Sequence, residues 1–195
     1  MSIYGQYEPR LTDLLAILED QIAAINAAET AAGRPKLYEH LSGRVKTPES
    51  MLEKCQRKGY PQTTEAALRQ CKDAVGVRIV CNFIDDIYRS LECLKAAPWC
   101  TVVKEKDYIT NAKPNGYRSY HLILDVTTPF ADVDGNTPGH YFAEIQLRTI
   151  AMDSWASLEH EMKYKHNIKE PERIGKELRR KKLPTKRGFS PLAKQ

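Results

Sequence analysis

The chain has 195 residues, enough for one domain with an adequate hydrophobic core or for one domain with a helical appendage. Hydrophobic residues make up 42% of it and charged residues 28%, as in ordinary globular proteins. No apolar run approaches membrane-spanning length, and residues 1–10 lack the basic-then-apolar pattern of a signal peptide, so we expect a cytoplasmic protein with no membrane partner.

The net charge of +5 is concentrated at the C-terminal end. Residues 178–195 contain no acidic residue and seven basic ones, namely Arg179, Arg180, Lys181, Lys182, Lys186, Arg187 and Lys194. The other 177 residues carry a net charge of −2, so no domain-wide basic face for a nucleic-acid duplex is predicted. Proline and glycine interrupt residues 178–195, which we expect to form a disordered basic tail and the only part that could bind nucleic acid.

The cysteines predict a reduced protein. Their number is odd and no two are spaced as C-x-x-C, the five being Cys55, Cys71, Cys81, Cys93 and Cys100. This pattern favours a reducing, cytosolic compartment over a disulfide framework.

The first half of the chain predicts two helices, a further helical piece and two extended segments. Apolar residues recur at helical spacing over residues 7–31, and residues 41–46 then read as extended. Thr47 can cap a second helix that ends near Lys58, with Pro48 at its first position. A helical piece at 64–71 precedes a strand at 75–83, in which alternate residues are apolar.

The second half predicts a helix from Ile84 and an antiparallel hairpin formed by residues 100–109 and 117–126 around the Asn115-Gly116 turn. A loop at 129–139 leads to a strand at 141–148 and a helix at 150–165 whose stripe contains Trp155, Leu158 and Met162. This order of elements indicates an α/β or α+β domain, with a mixed, partly antiparallel sheet flanked by helices.

A basic cluster stands where the extended segment meets the second helix. Arg44 and Lys46 share one face of the segment, and Ser50 and Lys54 lie on one face of the first helical turns. A helix N-terminus with three cations suits a polyphosphate, although an ordinary solvated basic surface is the alternative.

Asp73 and Arg78 flank the start of the strand at 75–83. An aspartate at the mouth of a strand is a frequent Mg²⁺ ligand, and a guanidinium that points away from the apolar face can bind phosphate or stack on a base. Taken alone, these two residues read more simply as a cap and an ordinary surface arginine.

Two further strands place polar side chains on one face. Tyr117, Ser119 and His121 share one face of the first strand, and Glu144, Gln146 and Arg148 share one face of the second. An aromatic ring, an imidazole, a carboxylate and an amide in one cleft favour a chemical site, with Glu144 as a metal ligand or a base. His121 alone reads more simply as a structural hydrogen-bonding residue.

Common nucleotide and zinc motifs are missing from the sequence. It contains neither a G-x-x-x-x-G-K-[ST] loop nor a G-x-G-x-x-G turn, which argues against a P-loop or a Rossmann site. His160-Glu161 begins like H-E-x-x-H, but Tyr164 stands where the second histidine is required.

Together these residues resemble the synthetase domain of RelA/SpoT-type alarmone synthetases, specifically the small stand-alone ones. The likeness covers residues 7–177, and four segments carry it in the right order: SGRVKTPESMLEK (42–54), DAVGVRIV (73–80), KPNGYRSYHL (113–122) and EIQLRTIAMDSWASLEHEMKYK (144–165). The resemblance implies a nucleotidyltransferase-like fold over residues 1–177. It also implies transfer of pyrophosphate from ATP to the 3′-hydroxyl of GDP or GTP, which releases AMP and makes ppGpp or pppGpp with Mg²⁺ as cofactor.

The resemblance also assigns roles residue by residue. On the ATP side, Arg44 and Arg78 would sandwich the adenine, while Lys46, Lys54 and Ser50 would hold the phosphates.

Asp73 and Glu144 would hold Mg²⁺, and Glu144 would also activate the 3′-hydroxyl. Tyr117 would stack on the guanine, in an acceptor pocket lined by Lys113, Asn115, His121 and Gln146.

Two features depart from the family pattern. Members continue into C-terminal helices that help to assemble a homotetramer, whereas a basic tail stands here, so we expect a monomer or dimer. Asp153 replaces a common amide and is therefore not assigned to the site. Two alternatives to alarmone synthesis remain: a toxic relative that pyrophosphorylates a tRNA 3′ end, and a catalytically silent nucleotide-binding protein.

Overall fold

The structure, a computed structural model of the chain, describes residues 2–164, with side chains described as far as residue 161. Four α-helices are α1 (Glu8–Ala31), α2 (Pro48–Lys58), α3 (Ile84–Lys95) and α4 (Ile150–Tyr164). Five strands are β1 (His40–Val45), β2 (Val75–Cys81), β3 (Cys100–Asp107), β4 (Tyr120–Thr128) and β5 (Gly139–Thr149). Short helical turns occupy Gly5–Tyr7 and Ala66–Gln70.

The five strands form one mixed sheet in the order β1-β2-β5-β4-β3. The central pair, β2 and β5, is parallel, and each of the other neighbouring pairs is antiparallel. The predicted mixed, partly antiparallel sheet flanked by helices is therefore confirmed. The predicted tail at 178–195 lies outside the described residues.

One face of the sheet forms the core. Alternate residues of the three inner strands are buried there, among them Val77, Ile145 and Leu122. Helix α1 supplies Leu11, Leu14, Leu18 and Ile22 to the same core, which explains its predicted apolar periodicity. The other face of the inner strands carries half-buried polar residues and remains available for a site.

Helix α2 begins and ends as its sequence predicts. The Thr47 hydroxyl accepts a hydrogen bond from the Ser50 amide, and Pro48 is the first helical residue. Gly59 ends the helix in the left-handed conformation, with φ of 69°.

The predicted antiparallel pairing of β3 with β4 and the turn at Asn115-Gly116 are confirmed, but the predicted strand bounds are wrong. The strands are antiparallel, but β3 ends at Asp107 and β4 starts at Tyr120, so Tyr117 and Ser119 lie in a long connection. Asp107 accepts hydrogen bonds from the amides of Ile109 and Thr110. These side-chain bonds satisfy the backbone locally and compete with extension of the strand ladder.

Two smaller expectations were also wrong. Strand β2 ends at Cys81, and Phe83 is 36% exposed because it stands at the N-cap of α3. On α4, Met152 is buried and Trp155 half-buried, whereas Leu158 is 48% exposed. Within residues 2–164, no helix is long and apolar enough to cross a membrane.

Candidate active site

Two rows of residues cross the sheet on the face opposite the core. The strand register aligns one row as Arg44, Gly76, Glu144, Ile123 and Lys104. It aligns the next row as Ser42, Arg78, Gln146, His121 and Lys106. Since cross-strand neighbours share a face, five strands bring cations, carboxylate, amide and imidazole onto one surface.

A first cavity of about 270 Å³ lies over the β1 side of this surface. Its wall contains six of the predicted site residues: Arg44, Lys46, Asp73, Arg78, Glu144 and Gln146. Gly76 also lines this cavity. The space beside its Cα is open, since an added Cβ would have its nearest neighbour 3.9 Å away.

A second cavity of about 220 Å³ lies over the β4 side. It is rich in cations and contains the predicted residues Lys54 and His121 together with four further lysines, Lys58, Lys72, Lys104 and Lys106. The two cavities share Asp73 and Glu144. Two carboxylates therefore stand where two ligands would meet.

Asp73 is held by the predicted lysines. Its Oδ2 lies 2.5 Å from the Lys46 ammonium and also pairs with Lys54. Its Oδ1 is buried and has no hydrogen-bond partner among the residues that the structure describes. Lys72, just before it, has a positive φ of 56°, an uncommon conformation for a residue with a side chain.

Glu144 is ionised and oriented by its neighbours. His121 Nδ1 lies 3.1 Å from Oε1, and Gln146 donates to Oε2 at 2.8 Å. Burial alone raises the pKa of this carboxyl, but hydrogen bonds from His121 and Gln146 and the charge of Lys54 outweigh it and lower the pKa to about 2.

Tyr117 is close to the site but lines neither cavity. Its hydroxyl lies 2.9 Å from His121 Nε2 and accepts a hydrogen bond from Arg148 at 2.7 Å. Its ring lies within cation–π distance of Lys113 and Arg148, 5.0 and 5.2 Å from the ring centre. A base that stacks on this ring would have to displace the exposed Lys113 side chain.

Three other predicted residues also lie outside the cavity walls. Asn115 accepts from the Tyr117 amide and donates to Glu159 on α4, so it shapes the loop. Lys113 lies over the rings of Tyr108 and Tyr117. The Ser50 hydroxyl is engaged by Thr47 at the start of α2.

Sequence reasoning left four residues near this surface out of the site, although it placed one of them, Arg148, on the same face as Glu144 and Gln146. Lys104 and Lys106 alternate on β3 opposite Ile123 and His121, a pattern that could have placed them on the site face. Arg148 is 6% exposed and follows Glu144 and Gln146 in the β5 alternation. Asp153, left out of the predicted site, lies 3.0 Å from Arg148 and 3.3 Å from Arg78.

In residues 2–164, no group of three or more histidine, cysteine or carboxylate side chains could hold a metal ion alone. Asp73 and Glu144 nonetheless fit Mg²⁺, which proteins often bind through one or two carboxylates together with substrate phosphates. The unpartnered Oδ1 of Asp73 is an open oxygen ligand at this position.

Comparison with known proteins gives close relatives. GTP pyrophosphokinase YwaC of Bacillus subtilis (strain 168) is 46% identical over 141 residues, which are 72% of this chain and 65% of that protein. GTP pyrophosphokinase YjbM of the same organism is 42% identical over 142 residues, 73% of this chain and 64% of that protein. The chain thus spans slightly less than two thirds of the length of these curated relatives.

Solved structures share the fold. The crystal structure of small alarmone synthetase 1 from Bacillus subtilis bound to its product pppGpp matches with a TM-score of 0.72 at 36% identity, covering 87% of this chain and 84% of that one. The family described as the region found in RelA / SpoT proteins matches residues 43–169, a span that contains every predicted site residue from Arg44 to Gln146. The chain belongs to the RelA/SpoT family.

Proposed function

We propose that this protein is a (p)ppGpp synthetase that transfers pyrophosphate from ATP to the 3′-hydroxyl of GDP or GTP and releases AMP. The observation that carries the proposal is the pair of cavities of similar volume that meet at Asp73 and Glu144. A reaction between two nucleotides needs two adjoining sites with the reacting groups at their junction. The names of the two relatives and the product bound to the solved neighbour agree with this reaction.

The first cavity is the proposed ATP site. Arg44 and Arg78 stand on neighbouring strands, where their planar guanidinium groups can sandwich an adenine. Lys46, just after β1, lines this cavity, whereas Lys54 on α2 lines the second cavity and reaches the junction by pairing with Asp73. Both lysines are proposed to bind the ATP phosphates. Until ATP arrives, Asp73 supplies the negative charge that holds these two lysines in place.

The second cavity is the proposed acceptor site. Lys104 and Lys106 offer two exposed cations on β3 for the 5′-phosphates of the guanine nucleotide. We place the guanine against Tyr117, with Lys113 and Asn115 on the same loop. His121 and Gln146 stand between that loop and Glu144.

The chemistry requires alignment and charge neutralisation more than a covalent intermediate. The 3′-oxygen of the acceptor forms a bond to the β-phosphorus of ATP, and the bond from that phosphorus to the oxygen shared with the α-phosphate breaks, leaving AMP. Glu144 accepts the hydroxyl hydrogen. Because its pKa is low, it is a weak base, and its main contribution is to orient the hydroxyl.

Mg²⁺ is the proposed cofactor, held by Asp73 and Glu144. When bound, it would neutralise charge on the transferred phosphates.

We also propose the bounds of the domain, its cellular compartment and its oligomeric state. We place the synthetase domain at residues 1–177 and the tail at 178–195. The five cysteines are free, which agrees with a cytoplasmic enzyme. We propose a monomer or dimer.

The direct test is incubation of the purified chain with Mg²⁺, ATP labelled on its β- or γ-phosphate and, separately, GDP, GTP or bulk tRNA. We expect label in ppGpp or pppGpp and none in tRNA. Label in tRNA alone would assign the chain to the toxic, tRNA-modifying alternative, which the basic tail would suit. Binding of nucleotides without any labelled product would assign it to the catalytically silent alternative.

A further inference from the structure

Arg148 is buried beside both proposed nucleotide sites but lines neither cavity. Its guanidinium donates to the Tyr117 hydroxyl at 2.7 Å, to Gln146 Oε1 at 3.1 Å and to Asp153 Oδ1 at 3.0 Å. A buried guanidinium is costly unless its charge and its donors are matched. Here three different side chains accept hydrogen bonds from its two Nη groups, while the buried Nε has no partner among the described residues.

These bonds determine how two other side chains are oriented. Because arginine has only donors, the Tyr117 oxygen and Gln146 Oε1 must both act as acceptors towards it. The ionised Glu144 can only accept, so His121 Nδ1 carries the hydrogen of that bond, and in the neutral imidazole Nε2 accepts from the Tyr117 hydroxyl. The Gln146 amide nitrogen likewise faces Glu144.

Asp153 links the same arginine to the ATP side. Its Oδ1 lies 3.3 Å from Arg78 Nη1, so one carboxylate stands between two positive groups. Burial lowers the pKa of Arg78, the charge of Arg148 adds to that effect, and the charge of Asp153 opposes it. An amide at position 153 would keep the shape but leave the two arginines repelling each other.

We infer that Arg148 and Asp153 form a positioning pair: Arg148 fixes the Tyr117 ring and the Gln146 amide on the acceptor side, and Asp153 joins Arg148 to Arg78 on the ATP side. This inference rests on the proposed function. Loss of Arg148 leaves Asp153 paired with Arg78, so ATP binding is retained. Loss of the Asp153 charge disturbs both arginines, so both nucleotides bind more weakly.

The test is calorimetric titration of the full-length chain with GDP and, separately, with the non-hydrolysable analogue α,β-methylene-ATP. Arg148→Gln should raise the Kd for GDP about tenfold and change the Kd for the ATP analogue less than about twofold. Arg118→Gln is the matched control, since Arg118 lies on the same loop as Tyr117 but donates to the Ile109 carbonyl. This control should leave both constants unchanged.

A double-mutant cycle separates positioning from general stabilisation. Tyr117→Phe keeps the ring but removes the oxygen that Arg148 binds, so the effects of Tyr117→Phe and Arg148→Gln on GDP binding should not add. A merely structural arginine would give additive effects and equal losses for both nucleotides. Either result overturns the inference.

Asp153→Asn tests the proposed role of Asp153, and it keeps the inference testable if Arg148→Gln does not fold. It should raise both dissociation constants several-fold, and unchanged constants would overturn the pairing role. Wild-type protein that binds neither nucleotide would overturn the proposed function and this inference with it. Wild-type binding that Arg148→Gln and Asp153→Asn leave unaltered overturns the inference alone.

Discussion

At Glu144, two donated hydrogen bonds hold a single carboxylate at the junction of both cavities. Glu144→Gln keeps the shape but loses the charge that the proposed Mg²⁺ site and the proposed proton acceptor require. We expect kcat to fall by about 10²- to 10⁴-fold, the usual range for acid–base groups, with KM for ATP little changed. Labelled product formation measures this. Asp125→Asn, on the same face of β4 but outside both cavity walls, is the control. Near-normal turnover by Glu144→Gln would remove it from the chemistry.

Tyr117→Ala should raise KM for GDP or GTP by roughly 5- to 150-fold, because stacking of a base on an aromatic ring contributes about 1–3 kcal/mol. KM for ATP should change little. From the sequence, Tyr117→Phe is expected to be mild, but the structure shows that the hydroxyl contacts both His121 and Arg148, so we now expect a measurable loss. Steady-state kinetics with each nucleotide varied in turn provides the check. Equal losses for both nucleotides would limit Tyr117 to supporting its loop.

The sequence predicted the site residues that belong to motifs but not those that act through neighbours. Asp73 and Glu144 were predicted, and the structure places both at the junction of the cavities. Arg148 was missed because its importance depends on the positions of Tyr117 and Asp153, which are distant in sequence and meet only in the fold. Lys104 and Lys106 alternate on β3, which puts them on one face, but the sequence alone does not tell that this face adjoins Glu144 rather than solvent.

At the scale of single elements, the start of β5 is unusually crowded. A Cβ at Gly139 would lie 2.3 Å from the Phe130 carbonyl oxygen and 2.8 Å from the Asp132 amide nitrogen. Since both are backbone atoms, Gly139→Ala should destabilise the protein by about 1–3 kcal/mol, the range for overpacking. Urea unfolding measures this. Gly76→Ala, where an added Cβ meets nothing closer than 3.9 Å, should leave the unfolding midpoint nearly unchanged. Equal effects of the two substitutions would contradict this reading.

Helices α1 and α3 are linked by Glu29, which pairs with Arg34 and with Arg89. The hydrogen bond from Arg34 lowers the Glu29 pKa, burial opposes it, and the hydrogen bond from Arg89 lowers it further, so that the pKa falls from 4.5 to about 2. Because the Glu29 pKa is lower in the folded than in the unfolded chain, the ionised carboxylate stabilises the fold above pH 4.5. That stabilisation is lost as the pH falls towards 2.

Glu29→Gln should therefore lower the urea midpoint at pH 7, and its difference from the wild type should shrink between about pH 4.5 and 2. The exposed Glu92 on α3 provides the control substitution, Glu92→Gln. A difference between Glu29→Gln and the wild type that stays constant with pH would show that the ion pairs do not act through charge.

Element prediction succeeded where local chemistry agrees with the fold. Thr47, Pro48 and Gly59 all predict the bounds of α2, and all are confirmed. It failed between β3 and β4, because an Asn-Gly pair predicts a turn without predicting how far the strands continue to it. The Asp107 side chain takes over the backbone amides there.

At the scale of the whole molecule, we predict that the tail is dispensable for chemistry. A chain ending at Glu177 should keep its activity with GDP or GTP and lose any salt-sensitive binding to RNA, because all seven cations of residues 178–195 are removed. Filter binding over a range of salt concentrations and the labelled-nucleotide assay measure the two properties. A full-length variant with the seven basic residues changed to glutamine separates the effect of charge from that of length. A stable tetramer that dissociates when the tail is removed would overturn this prediction.

The mixed sheet and its helices could be predicted from periodicity, because buried strands and amphipathic helices carry their core faces in the sequence. The burial of the residues of α4 could not be predicted in this way. Its apolar stripe predicts burial along the helix. Among the large apolar side chains described after Ile150, Met152 is buried and Trp155 is half-buried, but Leu158 is 48% exposed.

The meeting of the two cavities at only Asp73 and Glu144 has an evolutionary consequence. Mutations in β3 can reshape the wall of the proposed acceptor site without touching the side chains that line the first cavity, the proposed ATP site. A lineage could therefore exchange one 3′-hydroxyl for another while keeping its energy source. Substitutions on the proposed ATP side are more constrained, because β2 and β5 contribute residues both to that wall and to the hydrophobic core. Divergence in this family should thus accumulate faster on the acceptor half than on the donor half.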